Sequence, residues 1–146
     1  MTHTCAWKPA LAAAALIALN GCAGAGRLTW PMSPCHETTV SLYFESGADA
    51  VPDLGLQIIA ATATRLRGCH VREIRLLGLA DPSGSPAANL DLSARRANHV
   101  LDAFVKAGLP VPKYTLVAAG GNGAVTPDGA VEPLRRRVEV TVSAGR

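Results

Sequence analysis

The stretch from Gly78 to Val100 reads GLADPSGSPAANLDLSARRANHV and carries the most informative secondary-structure pattern of the chain. It begins at the end of an apolar run, which is typical of a buried strand. The segment Asp81–Pro86 is rich in Pro, Ser and Gly and indicates a loop. Beyond it, apolar residues recur at helical spacing until Gly108 ends the helix. The stretch therefore predicts a strand, a loop and a long helix in succession.

Four further elements are predicted on either side of this stretch. Residues 38–44 indicate a strand, and residues 53–67 indicate a helix that ends before Gly68. Residues 114–119 and 137–142 indicate two more strands. With the strand 71–80, the order β-α-β-α-β-β predicts an α/β (α+β) sandwich of helices on a sheet. The predicted buried positions are Leu54, Ile58, Ala61 and Leu66 in the first helix, Leu92, Ala97, Val100, Leu101, Phe104 and Val105 in the second, and Val138, Val140 and Val142 in the last strand.

The N-terminus indicates export. Residues 1–21 have a weakly basic start and an apolar run of ten residues at 10–19, which is too short to cross a bilayer core about 30 Å thick. The tetrad Leu19-Asn20-Gly21-Cys22 is similar to a lipoprotein cleavage box, in which the cysteine is acylated and becomes the new N-terminus. The alternative is an ordinary secretory signal cut nearby. We predict a signal over 1–21, a tether over 22–36 that reaches roughly 50 Å when extended, and one domain over 37–146.

Composition excludes some function classes. The chain has 146 residues, a formal net charge of +3 and 49% apolar residues, which favours a globular fold and gives too little charge to indicate nucleic-acid binding. Two Phe, two Tyr and two Trp provide no stacking platform for bases.

Two cysteines remain once Cys5 leaves with the signal and Cys22 is acylated. Cys35 and Cys69 form an even pair in a compartment that permits disulfides, and each precedes a predicted strand. We predict that they are bonded, because the starts of neighbouring parallel strands lie within disulfide reach. The alternative is a metal site built on the two Cys-His dipeptides. Adjacent residues of an extended chain point to opposite sides, so neither dipeptide chelates well, and we expect neither a metal nor a cofactor.

Several motifs in the right order carry a family resemblance. They are Gly-Leu-Ala-Asp-x-x-Gly from Gly78, then Asn89, then Leu-Ser-Ala-Arg-Arg-Ala-x-x-Val from Leu92, with Phe44-Glu45-Ser46, Gly121-x-Gly123-x-x-x-Pro127 and Arg136-Arg137-Val138-Glu139-Val140. Over about residues 38–142 the chain closely resembles the OmpA C-terminal family, the peptidoglycan-associated domain also found in Pal-type lipoproteins. The resemblance implies a two-layer sandwich with helices on a mixed four-stranded sheet.

The resemblance also implies non-covalent binding of diaminopimelate in the peptidoglycan stem peptide. By this analogy Asp81 holds the ammonium of the ligand and Arg96 its carboxylate, and Ala80, Leu92 and Glu45 line the pocket. The residue types suit a zwitterion, because a guanidinium grips a carboxylate in two places. The alternative is that Asp81 and Arg96 pair with each other, or cap the loop and the helix.

The other polar residues of the motifs and helices are expected to have structural rather than ligand-binding roles. Arg95 is expected on the solvated surface, Asn89 at the start of the helix and His99 in packing. The run 135–137 is expected to supply surface charge and one loop contact.

The resulting hypothesis is an outer-membrane lipoprotein that faces the periplasm and anchors the membrane to the cell wall. Ala23 after Cys22 favours the outer membrane by resemblance to bacterial sorting rules. The alternative is a subunit of a Tol–Pal-type or secretion assembly whose main partner is an envelope protein. A wall hydrolase would need a nucleophile or metal set that the sequence lacks, so the chain is not expected to be an enzyme.

Overall fold

A computed structural model describes residues 35–123, 128–129 and 135–146. The predicted signal over 1–21, Cys22, most of the tether and Pro127 of the glycine motif lie outside the described residues. The described elements are β1 (Thr38–Tyr43), α1 (Asp53–Arg65), β2 (His70–Leu79), α2 (Pro86–Lys106), β3 (Tyr114–Gly120) and β4 (Arg137–Gly145). This order confirms the predicted fold class. Within these residues, neither helix is both long and apolar enough to cross a membrane.

The four strands form one mixed sheet in the order β1-β4-β2-β3. β4 runs antiparallel to β1 and β2, and β2 runs parallel to β3. Val138, Val140 and Val142 are fully buried beneath the helices, as the alternation predicts. Because β1, β2 and β3 share one direction, all three end at the same edge of the sheet, where β4 begins. We call this edge the site end.

The buried face of α1 differs from the predicted one. The predicted positions Leu54 and Ala61 are exposed, and Leu54 retains 68% of its accessible surface. Leu66, just after the helix, is buried as predicted, and Ile58 is half-buried against the core. The helix instead buries the residues Gly55, Ile59, Thr62 and Ala63. This face also has helical spacing, but two of its members are not apolar side chains. Thr62 is tolerated there because its Oγ1 donates to the carbonyl of Ile58 at 2.7 Å.

The longer helix α2 packs closely on β2 and β3. Ala97, Val100, Leu101 and Phe104 are buried as predicted, whereas Val105 remains 55% exposed and Leu92 is half-buried. Arg96 takes a buried place on the same face. The approach is closest at Gly78, where a Cβ atom would lie 2.2 Å from the carbonyl oxygen of Ser93. A glycine at the end of β2 is therefore what lets α2 settle onto the sheet.

The cysteine pair lies at the opposite end of the sheet. The Sγ atoms of Cys35 and Cys69 are 2.10 Å apart, which is bonding distance. The strands that follow them were expected to be neighbours, and that expectation is wrong because β4 lies between β1 and β2. The segment before β1 must therefore cross the end of β4 to reach Cys69.

Candidate functional site

Three loops meet at the site end, one after each of the parallel strands. The loop after β1 carries Glu45, the loop after β2 carries Asp81, and the turn after β3 contains Gly121. The start of α2 follows the second loop, with Ser85 as its N-cap and Pro86 in its first turn. The Ser85 hydroxyl accepts from the amide of Ala88 at 3.2 Å. Strand order and helix start thus bring side chains from distant parts of the chain together.

Arg96 is the buried centre of this arrangement. Its side chain is fully inaccessible to solvent, and its guanidinium lies 5.0 Å from the centre of the Phe44 ring. Three of its donors reach the backbone carbonyls of Ala48 at 2.7 Å, Glu45 at 3.0 Å and Leu79 at 3.3 Å. A guanidinium has five N–H groups, so within the described residues two remain for a further acceptor.

Arg96 has no carboxylate bonded to it among the described residues. Burial lowers the pKa of its guanidinium, and the negative charge of Asp81 opposes that shift. A buried cation held only by carbonyls and an aromatic ring has part of its charge uncompensated. The site is therefore electrostatically suited to an incoming anion.

Asp81 stands at the end of β2 with its side chain largely covered. Its Oδ1 accepts from the amide and the hydroxyl of Ser83, and its Oδ2 accepts from Nη1 of Arg136 at 3.2 Å. The Ser83 hydroxyl and the Arg136 guanidinium hold the pKa of Asp81 below its usual value, although burial opposes them. The ion-pair partner of Asp81 is therefore Arg136 and not Arg96, while its loop-capping contact is to Ser83.

The remaining predicted pocket residues also lie near the site end. Ala80 is fully buried, and its amide donates to the carbonyl of Gly120 at 2.8 Å. Glu45 exposes its side chain and contributes its carbonyl to Arg96. Leu92 lies one turn before Arg96 and is half-buried. The structure brings these residues together, and their role in binding stays a prediction.

The loop after β1 is fastened to α2 by two side chains that flank Arg96. Arg95 donates to Asp49 at 2.7 Å and also contacts Asp91, and it is nearly half exposed, in line with the expected surface position. His99 lies with its Nδ1 2.8 Å from the carbonyl of Asp49. These contacts hold the carbonyls that surround the guanidinium of Arg96.

Two residues of the site were not predicted as such. The run 135–137 was expected to supply surface charge and one loop contact, without a named partner, and Arg136 bonds to Asp81 across 55 positions of sequence. Asn89 was assigned to the helix start; its side chain is only 6% exposed and lines an open cleft of about 430 Å³ between the Asp81 loop and the turn after β3. The sequence motifs could have indicated both residues as part of the site. Asn89 belongs to the motif that starts at Gly78, and Arg136 belongs to the Arg-Arg-Val-Glu motif.

The run 135–137 otherwise makes local contacts. Arg135 donates to the carbonyl of Asn122, and Arg137 donates to Glu139 at 2.7 Å. The Nε atoms of Arg135 and Arg136 are buried without a hydrogen-bond partner in the described part of the chain. No cluster of three or more metal-binding side chains occurs within residues 35–123, 128–129 and 135–146. The carboxylate of Asp81 and the guanidinium groups of Arg96 and Arg136 give the site both charges that a zwitterionic ligand needs.

Comparisons with known proteins confirm the family resemblance. Residues 43–137 match the model of the OmpA family. The chain is 31% identical over 101 residues to the peptidoglycan-binding protein ArfA of Mycobacterium tuberculosis, covering 66% of this chain and 30% of ArfA. It is 48% identical over 52 residues to outer membrane protein A of Yersinia pseudotuberculosis, covering 36% of this chain and 14% of that protein. The chain thus spans less than a third of the length of these relatives.

Solved structures share the fold. The peptidoglycan-associated lipoprotein from Burkholderia pseudomallei superposes with a TM-score of 0.58 at 24% identity, covering 79% of this chain and 98% of that one. The OmpA-like domain of FopA1 from Francisella tularensis superposes with a TM-score of 0.57 at 19% identity, covering 75% of this chain and 77% of that one. At these identities the likeness establishes the fold, a mixed four-stranded sheet with two helices.

Proposed function

Since the chain belongs to the OmpA family, we propose that its domain binds the stem peptide of peptidoglycan without forming a covalent bond. The observation that carries the proposal is the buried guanidinium of Arg96, which has two unused N–H groups and no bonded carboxylate among the described residues. Asp81 lies two residues beyond Leu79, whose carbonyl Arg96 holds. An anion and a cation thus lie at one edge of the sheet, with the cation covered by the surrounding chain.

Diaminopimelate has the complementary charges on one amino-acid head. We assign its carboxylate to Arg96 and its ammonium to Asp81. In the structure Asp81 already accepts from Arg136 at 3.2 Å, so the ammonium replaces or joins that guanidinium. Once displaced from Asp81, the guanidinium of Arg136 can donate two hydrogen bonds to a second carboxylate of the peptide. Asn89 adds an amide from the wall of the adjoining cleft, and Ala80, Leu92 and Glu45 remain the proposed lining.

The wider role follows from a lipid at Cys22 and a wall-binding domain on the same chain. We infer an outer-membrane lipoprotein that faces the periplasm and anchors the membrane to the wall by binding rather than by catalysis. The name of ArfA as a peptidoglycan-binding protein supports the ligand class. Many weak sites on one sheet of peptidoglycan add by multivalency, so modest affinity at each site is sufficient.

Co-sedimentation with purified diaminopimelate-containing cell walls tests this function. The full chain carrying Cys22→Ser is compared with the same chain carrying Asp81→Asn, which keeps the shape of the side chain and removes its charge. We expect the parent to sediment with the walls and the Asp81→Asn variant to remain in solution. Failure of the folded parent to sediment would contradict wall binding and direct the search to envelope protein partners. Equal sedimentation of both would contradict the role of Asp81.

A further inference from the structure

A cluster of basic side chains occupies the edge of the sheet opposite the site end. β2 begins there at His70, which pairs with Gly145 of β4. α1 ends there at Arg65, whose Nη2 lies 2.6 Å from Nε2 of His36. We call this cluster the basic end, and its members are His36, Arg65, Arg67, His70, Arg72 and Arg146. All but His36 are exposed.

The carboxylates of the adjoining strands are already engaged by other cations. Glu37 accepts from Arg75 at 3.1 Å and from the hydroxyl of Ser143 at 3.0 Å. Glu73 lies 3.6 Å from the ammonium of Lys113 and accepts from Thr115. These contacts engage Glu37 and Glu73, so neither carboxylate is bonded to Arg67 or Arg72.

Arg67 and Arg72 are the clearest members of the cluster. Arg67 lies in the turn between α1 and Cys69, and the Arg72 guanidinium lies beside Gly145. Neither forms an ion pair with a carboxylate in the part of the chain that the structure describes. Their guanidinium groups are therefore available to phosphate oxygens, which they bind in a bidentate manner.

The basic end is also where the chain enters the domain. The Sγ atoms of Cys35 and Cys69 are at bonding distance, which fixes the entry point beside Arg67. Cys35 follows Cys22 by 13 residues, which reach about 45 Å at most. β2 has 10 residues and separates the two ends of the sheet by about 33 Å. Because this reach exceeds the length of the sheet, a lipid at Cys22 lets either end approach the membrane, and the charge of the basic end favours that end.

We propose that the basic end binds the anionic phospholipid surface of that membrane and so turns the site end toward the wall. The orientation rests on the proposed lipid anchor, whereas the affinity for anionic lipid rests only on the exposed guanidinium groups of Arg67 and Arg72. Each basic side chain held near such a surface strengthens binding about fivefold. The contact therefore acts as a second attachment beside the acyl chains and selects one orientation of the domain.

Vesicle sedimentation tests the proposal without the lipid anchor. The probes are vesicles of phosphatidylcholine alone and vesicles of phosphatidylcholine and phosphatidylglycerol in equal parts. The full chain carrying Cys22→Ser is compared with two variants that each lose two charges, Arg67→Gln/Arg72→Gln and, as the matched control, Arg75→Gln/Arg137→Gln. We expect the first variant to bind anionic vesicles about 25-fold more weakly than the parent, and the control variant to lose much less.

Three outcomes would overturn the proposal. Equal losses in the two variants would show that net charge alone governs binding. Equal binding of the parent to neutral and anionic vesicles would show that apolar residues, and not the arginines, hold the protein on the vesicle. Full release by inorganic phosphate at constant ionic strength would show a site for free phosphate instead of a surface. Stem-peptide binding, measured on the same samples, reports separately on the proposed function, and we expect Arg67→Gln/Arg72→Gln to retain it.

Discussion

Replacing Arg96 by Ala removes a fully buried guanidinium that holds three backbone carbonyls, those of Glu45, Ala48 and Leu79. A hydrogen bond to a charged group contributes about 1.5–3 kcal/mol, so the three together contribute roughly 4.5–9 kcal/mol before any relaxation. Returning the cation to water on unfolding offsets part of this sum, because burial penalises the charge. We expect a net loss of about 4 kcal/mol in the free energy of unfolding, as is typical of a broken buried polar network.

Urea unfolding followed by circular dichroism measures this loss. Arg95→Ala is the matched control, because Arg95 is the adjacent residue, of the same type, and pairs with half-buried Asp49 and exposed Asp91. We expect its urea midpoint to fall much less than that of Arg96→Ala. Equal midpoints for the two variants would refute the inference that the carbonyl contacts of Arg96 hold the loop after β1. Because Arg96→Ala is expected to destabilise the fold, a loss of ligand binding by this variant is informative only if the variant is shown to be folded. Asp81→Asn is therefore the better variant for testing ligand binding.

Three further predictions concern the core, the charge of the site and the cysteine pair. Ser93→Ala removes the buried hydroxyl that accepts from the amide of Gly120 at 3.0 Å, so we expect chemical denaturation to show a loss of about 1–3 kcal/mol, and an unchanged midpoint would contradict it. The lowered pKa of Asp81 stabilises the folded state above the unfolded pKa of about 3.9, and this contribution is lost as pH falls through the folded value. The stability difference between the parent and Asp81→Asn is thus expected to be constant from about pH 5 to 7 and to shrink below about pH 4 in denaturation curves; a difference independent of pH down to pH 2 would exclude this linkage. Replacing both Cys35 and Cys69 by Ser opens a loop of 34 residues, and calorimetric or urea unfolding is expected to show a loss of about 3–4 kcal/mol, whereas no loss would mean that the thiols are not bonded.

The sequence predicts the order of elements well because its strongest signals are local. Glycines follow both helices, and the alternation at Val138, Val140 and Val142 marks a strand with one buried face. The predicted buried face of α1 was wrong at Leu54 and Ala61, because it was inferred from the spacing of apolar side chains alone. Gly55, where a Cβ atom would lie 2.9 Å from Cγ1 of Val51, and Thr62, whose hydroxyl donates within the helix, occupy buried positions of α1. Which side of a short helix faces the sheet is decided by tertiary packing.

In the site too, features encoded by local sequence motifs could be predicted, whereas contacts between distant parts of the chain could not. The motifs locate Asp81 and Arg96, and the structure brings both to one edge of the sheet. Sequence spacing does not show that Arg136 is the ion-pair partner of Asp81, because the two meet only once β4 is inserted between β1 and β2. The carbonyls around Arg96 are likewise invisible in the sequence, since any residue type supplies a backbone carbonyl. These contacts give Arg96 a structural role beside the proposed binding role.

The most direct test of the binding account is a calorimetric titration of the full chain, carrying Cys22→Ser, with two stem peptides. One contains diaminopimelate, and the other contains lysine at the same position, which keeps the ammonium and lacks the carboxylate assigned to Arg96. We expect the diaminopimelate peptide to bind at least tenfold more tightly, because a buried charged group left unpaired costs about 1.4 kcal/mol or more. Equal affinity for the two peptides, or no binding of either by the folded protein, would contradict the assignment of a ligand carboxylate to Arg96.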